Sequence, residues 1–258
     1  MKTKILPTAI LLAFSAAPAL AHDFWAGVVE AEKSRPAVVK IGFGHNFPEG
    51  EALEAEKMHR YEPLTMLGPG GTVPLGPGPE PRLAVTAQSL AEGGYLVLAA
   101  TKTSFFTRGP EGSKLQPKNE VPGAASCSFG ASFGKAVFNI GAGAETGFLS
   151  RPVGQTLEIV PQVNPASIKV GQKLPVQALL KGRPLGQARL EATFAGFGDG
   201  QEGAWAFSAS TDKDGRVNII PLRPGPWLAK ITFSKPYDDL EKCDMERYNA
   251  TLTFTITE

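Results

Sequence analysis

Glycine and proline divide this chain into short segments and leave little room for long helices. Its 258 residues include 29 glycines and 22 prolines, and both residue types favour turns and interrupt helices. The segments between them alternate apolar and polar residues or are rich in β-branched side chains, which is the pattern of β-strands. In the first part of the chain the predicted strands are 37–42, 82–86, 94–101 and 135–140. We therefore predict an all-β fold.

Two other segments of this first part differ in composition. Residues 67–81 are so dense in glycine and proline that we predict a loop or edge strands there. Residues 49–60 are rich in good helix formers, and they predict either a short helical turn or a charged surface loop.

The spacing of the predicted strands becomes regular after a boundary near residues 151–156. Seven short strands over roughly a hundred residues are typical of an immunoglobulin-like sandwich, and residues 181–184 and 212–215 have the composition of hairpin turns. We predict two β-sandwich-like domains, residues 22–152 and residues 153–258, of which the second is immunoglobulin-like. The seven strands are 156–160, 174–180, 188–194, 204–210, 217–222, 227–233 and 250–257.

The first 21 residues have the pattern of a cleaved signal peptide. Lys2 and Lys4 precede an apolar run at 5–17 that is short for a membrane span, and residues 19–21 (ALA) form a cleavage pattern. An uncleaved anchor or a buried strand is the alternative interpretation. Cleavage after Ala21 would leave 237 residues with a formal charge of −1. We therefore predict a periplasmic protein, and no later apolar run is long enough to span a membrane.

Cleavage would place a histidine at the N-terminus of the mature chain. The sequence has three histidines, His22, His45 and His59. A free N-terminal His22 offers both its α-amine, with an ordinary pKa of about 7.7, and a ring nitrogen to one metal ion. With a second imidazole this makes a three-nitrogen site suited to Cu(II), Ni(II) or related ions. The alternative is that His22 is a frayed terminal residue.

The second imidazole is expected from the segment that follows the first predicted strand. His45 comes directly after Gly44, and His59 follows 14 residues later. Glutamates 49, 51, 54 and 56 lie between or beside them and offer oxygen ligands or groups that orient an imidazole. We predict a metal site made by His22, His45 and His59, with His59 the least certain member because its surroundings are polar. The domain 22–152 would then be the metal-binding domain.

The two cysteines, Cys127 and Cys243, lie one in each predicted domain. An even number of cysteines in an exported protein favours a disulfide, which here would join the two domains. Two separate buried thiols are the alternative. A thiolate metal site is less favoured because the sequence has no pair with CxxC spacing.

Several function classes lack their residues in this sequence. A formal net charge of +1 does not favour nucleic-acid binding. The sequence has no GxSxG, P-loop or HExxH motif, so we predict no catalytic residues and no organic cofactor. Residues 212–215 (DKDG) begin like a calcium loop, but the later glutamate ligand is missing and a plain turn is favoured.

The chain resembles a bacterial periplasmic family at residues 22–25 (HDFW) and 42–51 (GFGHNFPEGE). The members of that family carry a domain-of-unknown-function label, and many are described as NikM-like or as the periplasmic component of cobalt/nickel transport. The resemblance implies a β-rich periplasmic protein that binds a divalent transition metal and supports nickel or cobalt uptake together with a membrane transporter. It implies His22 and His45 as ligands. Further similar segments are 95–107, 157–161, 181–184, 211–215, 225–227 and 248–254.

Two other functions remain open at the level of sequence. A terminal histidine with a second histidine on copper resembles the histidine brace of oxidative polysaccharide monooxygenases, which would make the protein a copper oxidase. Alternatively, the protein is a structural or interaction sandwich module without a metal.

Overall fold

A computed structural model describes residues 22–141, 147–198 and 204–258. The predicted signal peptide, residues 1–21, lies outside the described residues. Strands dominate the described chain, and the only helical segments within it are short 3₁₀ turns, so the prediction of an all-β fold is confirmed. The strands are β1 Asp23–Glu30, β2 Pro36–Gly44, β3 Thr65–Gly68, β4 Gly71–Val73, β5 Leu75–Pro77, β6 Leu83–Ser89, β7 Gly93–Ala100, β8 Ser104–Gly109, β9 Gly112–Lys114, β10 Ser126–Ile140, β11 Leu157–Pro161, β12 Leu174–Leu180, β13 Arg183–Pro184, β14 Arg189–Phe194, β15 Phe207–Ser210, β16 Arg216–Ile219, β17 Gly225–Pro236 and β18 Met245–Ile256. The 3₁₀ turns are Ala55–Arg60, Lys118–Glu120, Gly147–Ser150 and Pro165–Ser167.

The strands form three sheets. A front sheet has the order β1-β2-β6-β5, and a central sheet has the order β15-β14-β17-β18-β10-β7-β3-β4, with β8 and β9 added beside β10. A back sheet consists of β11, β12, β13 and β16. The segment 67–81, predicted as loop or edge structure, supplies the short edge strands β4 and β5 together with the end of β3. The segment 49–60 ends in a single 3₁₀ turn, which is shorter than a stable helix requires.

The central sheet buries apolar side chains on both faces. Along β7, Tyr95, Val97 and Ala99 pack toward the front sheet, whereas Leu96 packs toward the back sheet. Because successive side chains of a strand point to opposite faces, this strand between two cores is apolar at nearly every position. The front core also contains Phe24, Ala26, Val39, Ile41 and Met66, and the back core contains Leu157, Ile159, Leu174, Val176, Leu190, Trp227 and Leu252.

The second half of the chain has the predicted immunoglobulin-like arrangement. Each of the seven predicted strands is present, with ends that differ by a few residues. The back sheet pairs β11, β12 and β16, and it faces β15, β14, β17 and β18 of the central sheet. This division of antiparallel strands between two packed sheets is that of an immunoglobulin-like sandwich.

Strands from both halves share the central sheet. β10 pairs with β18 in parallel, from Ser128 beside Met245 to Ala136 beside Thr253. A continuous sheet therefore crosses the predicted division between residues 152 and 153. The division into two domains stays a prediction.

The predicted disulfide is present between Cys127 and Cys243, whose Cα atoms lie 5.0 Å apart. Cys127 lies near the start of β10 and Cys243 lies just before β18, so the bridge joins the two halves where their parallel pairing begins. Beside it, the Asp244 carboxylate accepts hydrogen bonds from the Cys127 main-chain N–H and from the Lys118 ammonium.

Candidate metal centre

The pairing of β1 with β2 places His22 opposite His45. The two strands are antiparallel, and Asp23 at the start of β1 pairs with Gly44 at the end of β2. The next position outward on each strand is a histidine, and directly opposite residues of an antiparallel pair have neighbouring side chains. The two imidazole ring centres lie 4.4 Å apart. Phe43 stacks on the His22 ring with the ring centres 4.7 Å apart, which holds that ring over β2.

Glu51 returns to the same place because the segment after β2 folds back on the strand. The Gly50 N–H donates to the Asn46 carbonyl at 2.8 Å, and the Glu51 N–H donates to the Phe43 carbonyl at 2.6 Å. Gly50 has a φ of +72°, in the left-handed region that favours glycine. The Glu51 carboxylate consequently lies 3.4 Å from His22 Nε2.

The same segment is held from the side by Arg82. Its guanidinium donates to the main-chain oxygens of Glu49 at 3.2 Å and Glu51 at 3.3 Å. The Lys40 ammonium also donates to the Glu49 oxygen, at 3.2 Å. Hydrogen bonds from two cations fix this turn, so the Glu51 carboxylate extends from a restrained backbone.

His22, His45 and Glu51 form one cluster of side chains that could hold a metal ion. One ligand atom from each lies within 4.8 Å of the others. His22 and Glu51 are exposed and His45 is half-buried, so solvent ions have access to the group. Imidazole nitrogens with a carboxylate oxygen suit borderline divalent ions such as Ni(II), Cu(II), Co(II) and Zn(II). The donor set therefore fits the kind of ion that the sequence predicts.

Glycines make the close packing of this cluster feasible. A Cβ atom on Gly44 would lie 2.7 Å from a carboxylate oxygen of Glu51, and Gly44 has a φ of +123°. A Cβ atom on Gly42 would lie 2.0 Å from the Trp25 ring, so the indole rests directly on the β2 backbone. Phe47 packs against the edge of that indole with the ring centres 5.7 Å apart. The two glycines of the segment 42–51 thus leave space for the Trp25 ring and the Glu51 carboxylate.

Strands of the second half position the front sheet. The hydroxyls of Thr251 and Thr253 on β18 donate to the carbonyls of Phe24 and Ala26 at 2.8 Å each. Asp23, next to His22, forms an ion pair with Lys230 of β17. The start of β1 is therefore attached to the immunoglobulin-like half, and the metal cluster lies beside it.

The structure brings together two of the three predicted histidines. His59 lies on the 3₁₀ turn Ala55–Arg60, is exposed and has its Nδ1 2.6 Å from the Glu56 carbonyl oxygen. The cluster found among the described residues does not include it. Of the four glutamates considered, only Glu51 joins the cluster, and Glu54 instead forms an ion pair with Lys57 at 2.8 Å.

The sequence contained a signal for this geometry that the strand prediction missed. The apolar run 24–29 and the strand 36–44 form an antiparallel pair, and the charged segment 30–35 is the short connection between them. Strand β1 was not predicted, although its pairing with β2 is what sets His22 against His45.

In the described part of the chain, no helix has both the length and the apolar character needed to cross a membrane.

Comparisons with known proteins give a family but no activity. A search of curated proteins finds no significant match. Among solved structures, the chain is similar to the D0-D1 domain of Intimin, with 15% identity, 90% of this chain and 97% of that one covered, and a TM-score of 0.21. It is also similar to the D00-D0 domain of Intimin, with 8% identity, 92% and 100% covered, and a TM-score of 0.22. Residues 19–235 match the model of a domain of unknown function, DUF4198, and the chain therefore belongs to the DUF4198 family.

Proposed function

We propose that this chain is an exported periplasmic protein that binds a divalent transition-metal ion, nickel or cobalt, and passes it to a membrane transporter. The ligands are His22, His45 and Glu51. The observation that carries the proposal is the convergence of these three side chains, with ligand atoms within 4.8 Å of one another. The resemblance of the segments 22–25 and 42–51 to NikM-like periplasmic proteins supports the same function.

Processing after Ala21 would add a fourth donor. The α-amine of a terminal His22 and its own Nδ1 can close a chelate ring on one ion, whereas Nε2 is too far from that amine. The unprocessed chain offers instead the Nε2 atom that lies near Glu51. Processing thus increases the number of nitrogen ligands, which favours Ni(II), Co(II) and Cu(II) over ions that prefer oxygen.

Titration calorimetry with Ni(II) and Co(II) tests the proposal on the chain that begins at His22. The same chain with its α-amine acetylated retains every side chain but cannot use that amine as a ligand, and we expect its affinity to fall by about tenfold or more, or ~1.4 kcal/mol. His45→Ala and Glu51→Gln remove one ligand each and should lower the affinity further. His59→Ala is the matched control, because His59 lies outside the cluster, and it should bind as the parent does.

Other outcomes would contradict the proposal. If the chain that begins at His22 takes up neither ion, the proposed nickel or cobalt carrier is overturned. An equal loss of affinity in His59→Ala and His45→Ala would place the site elsewhere. Mass spectrometry of the exported protein checks the terminus itself, since any N-terminus other than His22 removes the α-amine ligand.

Copper chemistry is the second candidate function. The neighbouring imidazoles of His22 and His45, together with a terminal amine, would present three nitrogens to Cu(II) as a histidine brace does. A copper oxidase consumes oxygen when a reductant is supplied. We expect no ascorbate-dependent oxygen consumption by the copper-loaded protein with a glycan present, and sustained consumption would favour the oxidase.

A further inference from the structure

A cleft of about 170 Å³ lies beside the cluster of His22, His45 and Glu51 and shares His45 with it. One wall belongs to the segment after β2, and the opposite wall belongs to the immunoglobulin-like half, including Thr193, Phe194 and Trp205. The volume is enough for one free amino acid. A molecule in the cleft would lie against His45, and its donor atoms would be within reach of an ion held by that imidazole.

The cluster alone leaves an ion incompletely coordinated. Three side chains with one donor atom each and one α-amine supply four donors, whereas octahedral coordination, which is common for Ni(II) and Co(II), takes six. With neutral imidazoles, the Glu51 carboxylate offsets only one of the two charges of the ion. Asp23 also lines the cleft, but it is paired with Lys230. A monoanionic ligand would complete both the coordination and the charge.

The walls of the cleft have polar groups and aromatic rings suited to such a ligand. Trp25 lines the cleft, its side chain is buried, and its indole N–H has no hydrogen-bond partner within the described residues. A buried donor without an acceptor is unfavourable, and this one lies against Gly42 of β2, where an added Cβ atom would come within 2.1 Å of it. The Thr193 hydroxyl adds a second polar group. Phe194 and Trp205 add aromatic side chains to the lining, and the Arg223 guanidinium lies 5.3 Å from the centre of the Phe194 ring and the Lys230 ammonium 5.6 Å from the centre of the Trp205 ring.

We infer that the protein binds its metal ion together with a small amino-carboxylate chelator of amino-acid size, seated in this cleft between His45 and β14. The inference rests on the proposed function and names the form in which the ion is carried. The chelator's amine and carboxylate would complete the coordination of the ion. The cleft, and not the cluster alone, would then select among the metal complexes present in the periplasm.

Retention of Co(II) during desalting tests the inference, with free L-histidine as the chelator. In solution, histidine competes with the protein for the ion, so simple competition predicts that it removes Co(II) from the protein. We expect the opposite: about tenfold more Co(II) retained with histidine than without it, and one histidine retained per ion. Histamine has the same ring and amine but no carboxylate, and it should not increase retention.

Thr193→Phe provides the matched variant, because it fills the cleft from the wall opposite His45 and changes no metal ligand. It should bind Co(II) alone as the parent does and lose the increase caused by histidine. Glu191→Phe places the same ring two residues earlier on β14, outside the cleft lining, and should behave as the parent.

Different experimental outcomes would overturn the inference and the proposed function. Co(II) bound without any increase from histidine, or an increase that persists in Thr193→Phe, overturns the chelator and leaves the metal site. An equal increase with histamine overturns the role of the carboxylate. If neither Co(II) nor Ni(II) binds, with or without histidine, the proposed function and this inference are overturned together.

Discussion

Lys135 and Glu158 form a buried ion pair between the central and back sheets, and removing either side chain tests how these sheets are held together. Both residues are fully buried. The Lys135 ammonium donates to Glu158 at 2.5 Å and to the Ile159 carbonyl at 3.2 Å. The Glu158 carboxylate also accepts from the main-chain N–H groups of Val153 and Gly154, at 2.7 Å and 3.1 Å. The carboxylate therefore has more partners than the ammonium.

This asymmetry predicts the order of the effects. Breaking a buried pair leaves an uncompensated charge and costs about 3 to 5 kcal/mol. Glu158→Leu leaves the ammonium and two main-chain N–H groups without their acceptor, and each orphaned N–H adds about 1 to 3 kcal/mol. Lys135→Met leaves a carboxylate that keeps two donors, so its cost should lie at the lower end of the range, about 3 kcal/mol. In the double variant the unpaired charge is gone but the orphaned N–H groups remain.

Urea and thermal unfolding of the four chains measure this order. We expect stability to decrease from the parent to Lys135→Met to Glu158→Leu, with the double variant more stable than Glu158→Leu. A loss of 3 kcal/mol corresponds to a decrease in Tm of roughly 6 to 12 °C for a chain of this size. Equal costs for the two single variants would refute the argument from the number of partners. A double variant as unstable as the sum of the two would show that the charges are not coupled and would refute the ion pair's role.

Burial also lowers the pKa of Lys135. The folded chain therefore loses this proton at a lower pH than the unfolded chain, and the group makes stability rise with pH between the lowered pKa and the ordinary value of 10.5. The difference in stability between the parent and Lys135→Met should shift in favour of the parent as the pH rises through this window. A difference that does not change with pH would contradict the burial of the ammonium.

Three further predictions concern the metal site and the junction of the two halves. Gly44→Ala brings a Cβ atom within 2.7 Å of the Glu51 carboxylate, so calorimetry should show a loss of Ni(II) affinity comparable to that of Glu51→Gln. A hydrogen bond from the Lys118 ammonium lowers the pKa of Asp244. The ionised Asp244 carboxylate therefore stabilises the fold at pH values above its ordinary pKa of 3.8, and this effect is lost as the pH falls through the lowered pKa of the folded chain. Acid titration of both chains should therefore show that Asp244→Asn is less stable than the parent above pH 3.8 and that the difference shrinks as the pH falls below it. Cys127→Ser opens a disulfide that spans 116 residues and should destabilise the chain by about 4 to 5 kcal/mol in urea unfolding.

Most strands could be predicted because their pattern is local. The runs 94–101 and 174–180 are bounded by turn residues and rich in apolar and β-branched side chains, and both are strands with nearly the predicted ends. β1 escaped prediction because its residues Phe24 to Val29 form a continuous apolar run that follows the predicted signal peptide, where alternation gives no signal. Its function as a strand depends on pairing with β2.

The candidate site could be predicted only in part. His22 and His45 were identified by the scarcity of histidine and the predicted terminus, but nothing local distinguished Glu51 from Glu49, Glu54 and Glu56. The choice follows from the reversal after β2, where the Glu51 N–H bonds back to Phe43 and directs that carboxylate toward His22. His59 was grouped with the others because it is near in sequence, and the 3₁₀ turn holds it away from the cluster.

The amino-acid sequence by itself determined the all-β character and the strands of the immunoglobulin-like half, because strand periodicity and turn composition are properties of neighbouring residues. Only the tertiary structure decided which groups meet. The β1–β2 register sets His22 against His45, Gly44 leaves space for the Glu51 carboxylate, and the parallel pairing of β10 with β18 brings the cleft wall of the second half beside them. The β1–β2 and β10–β18 pairings join separate segments of the chain, and they depend on register and packing that no single segment encodes.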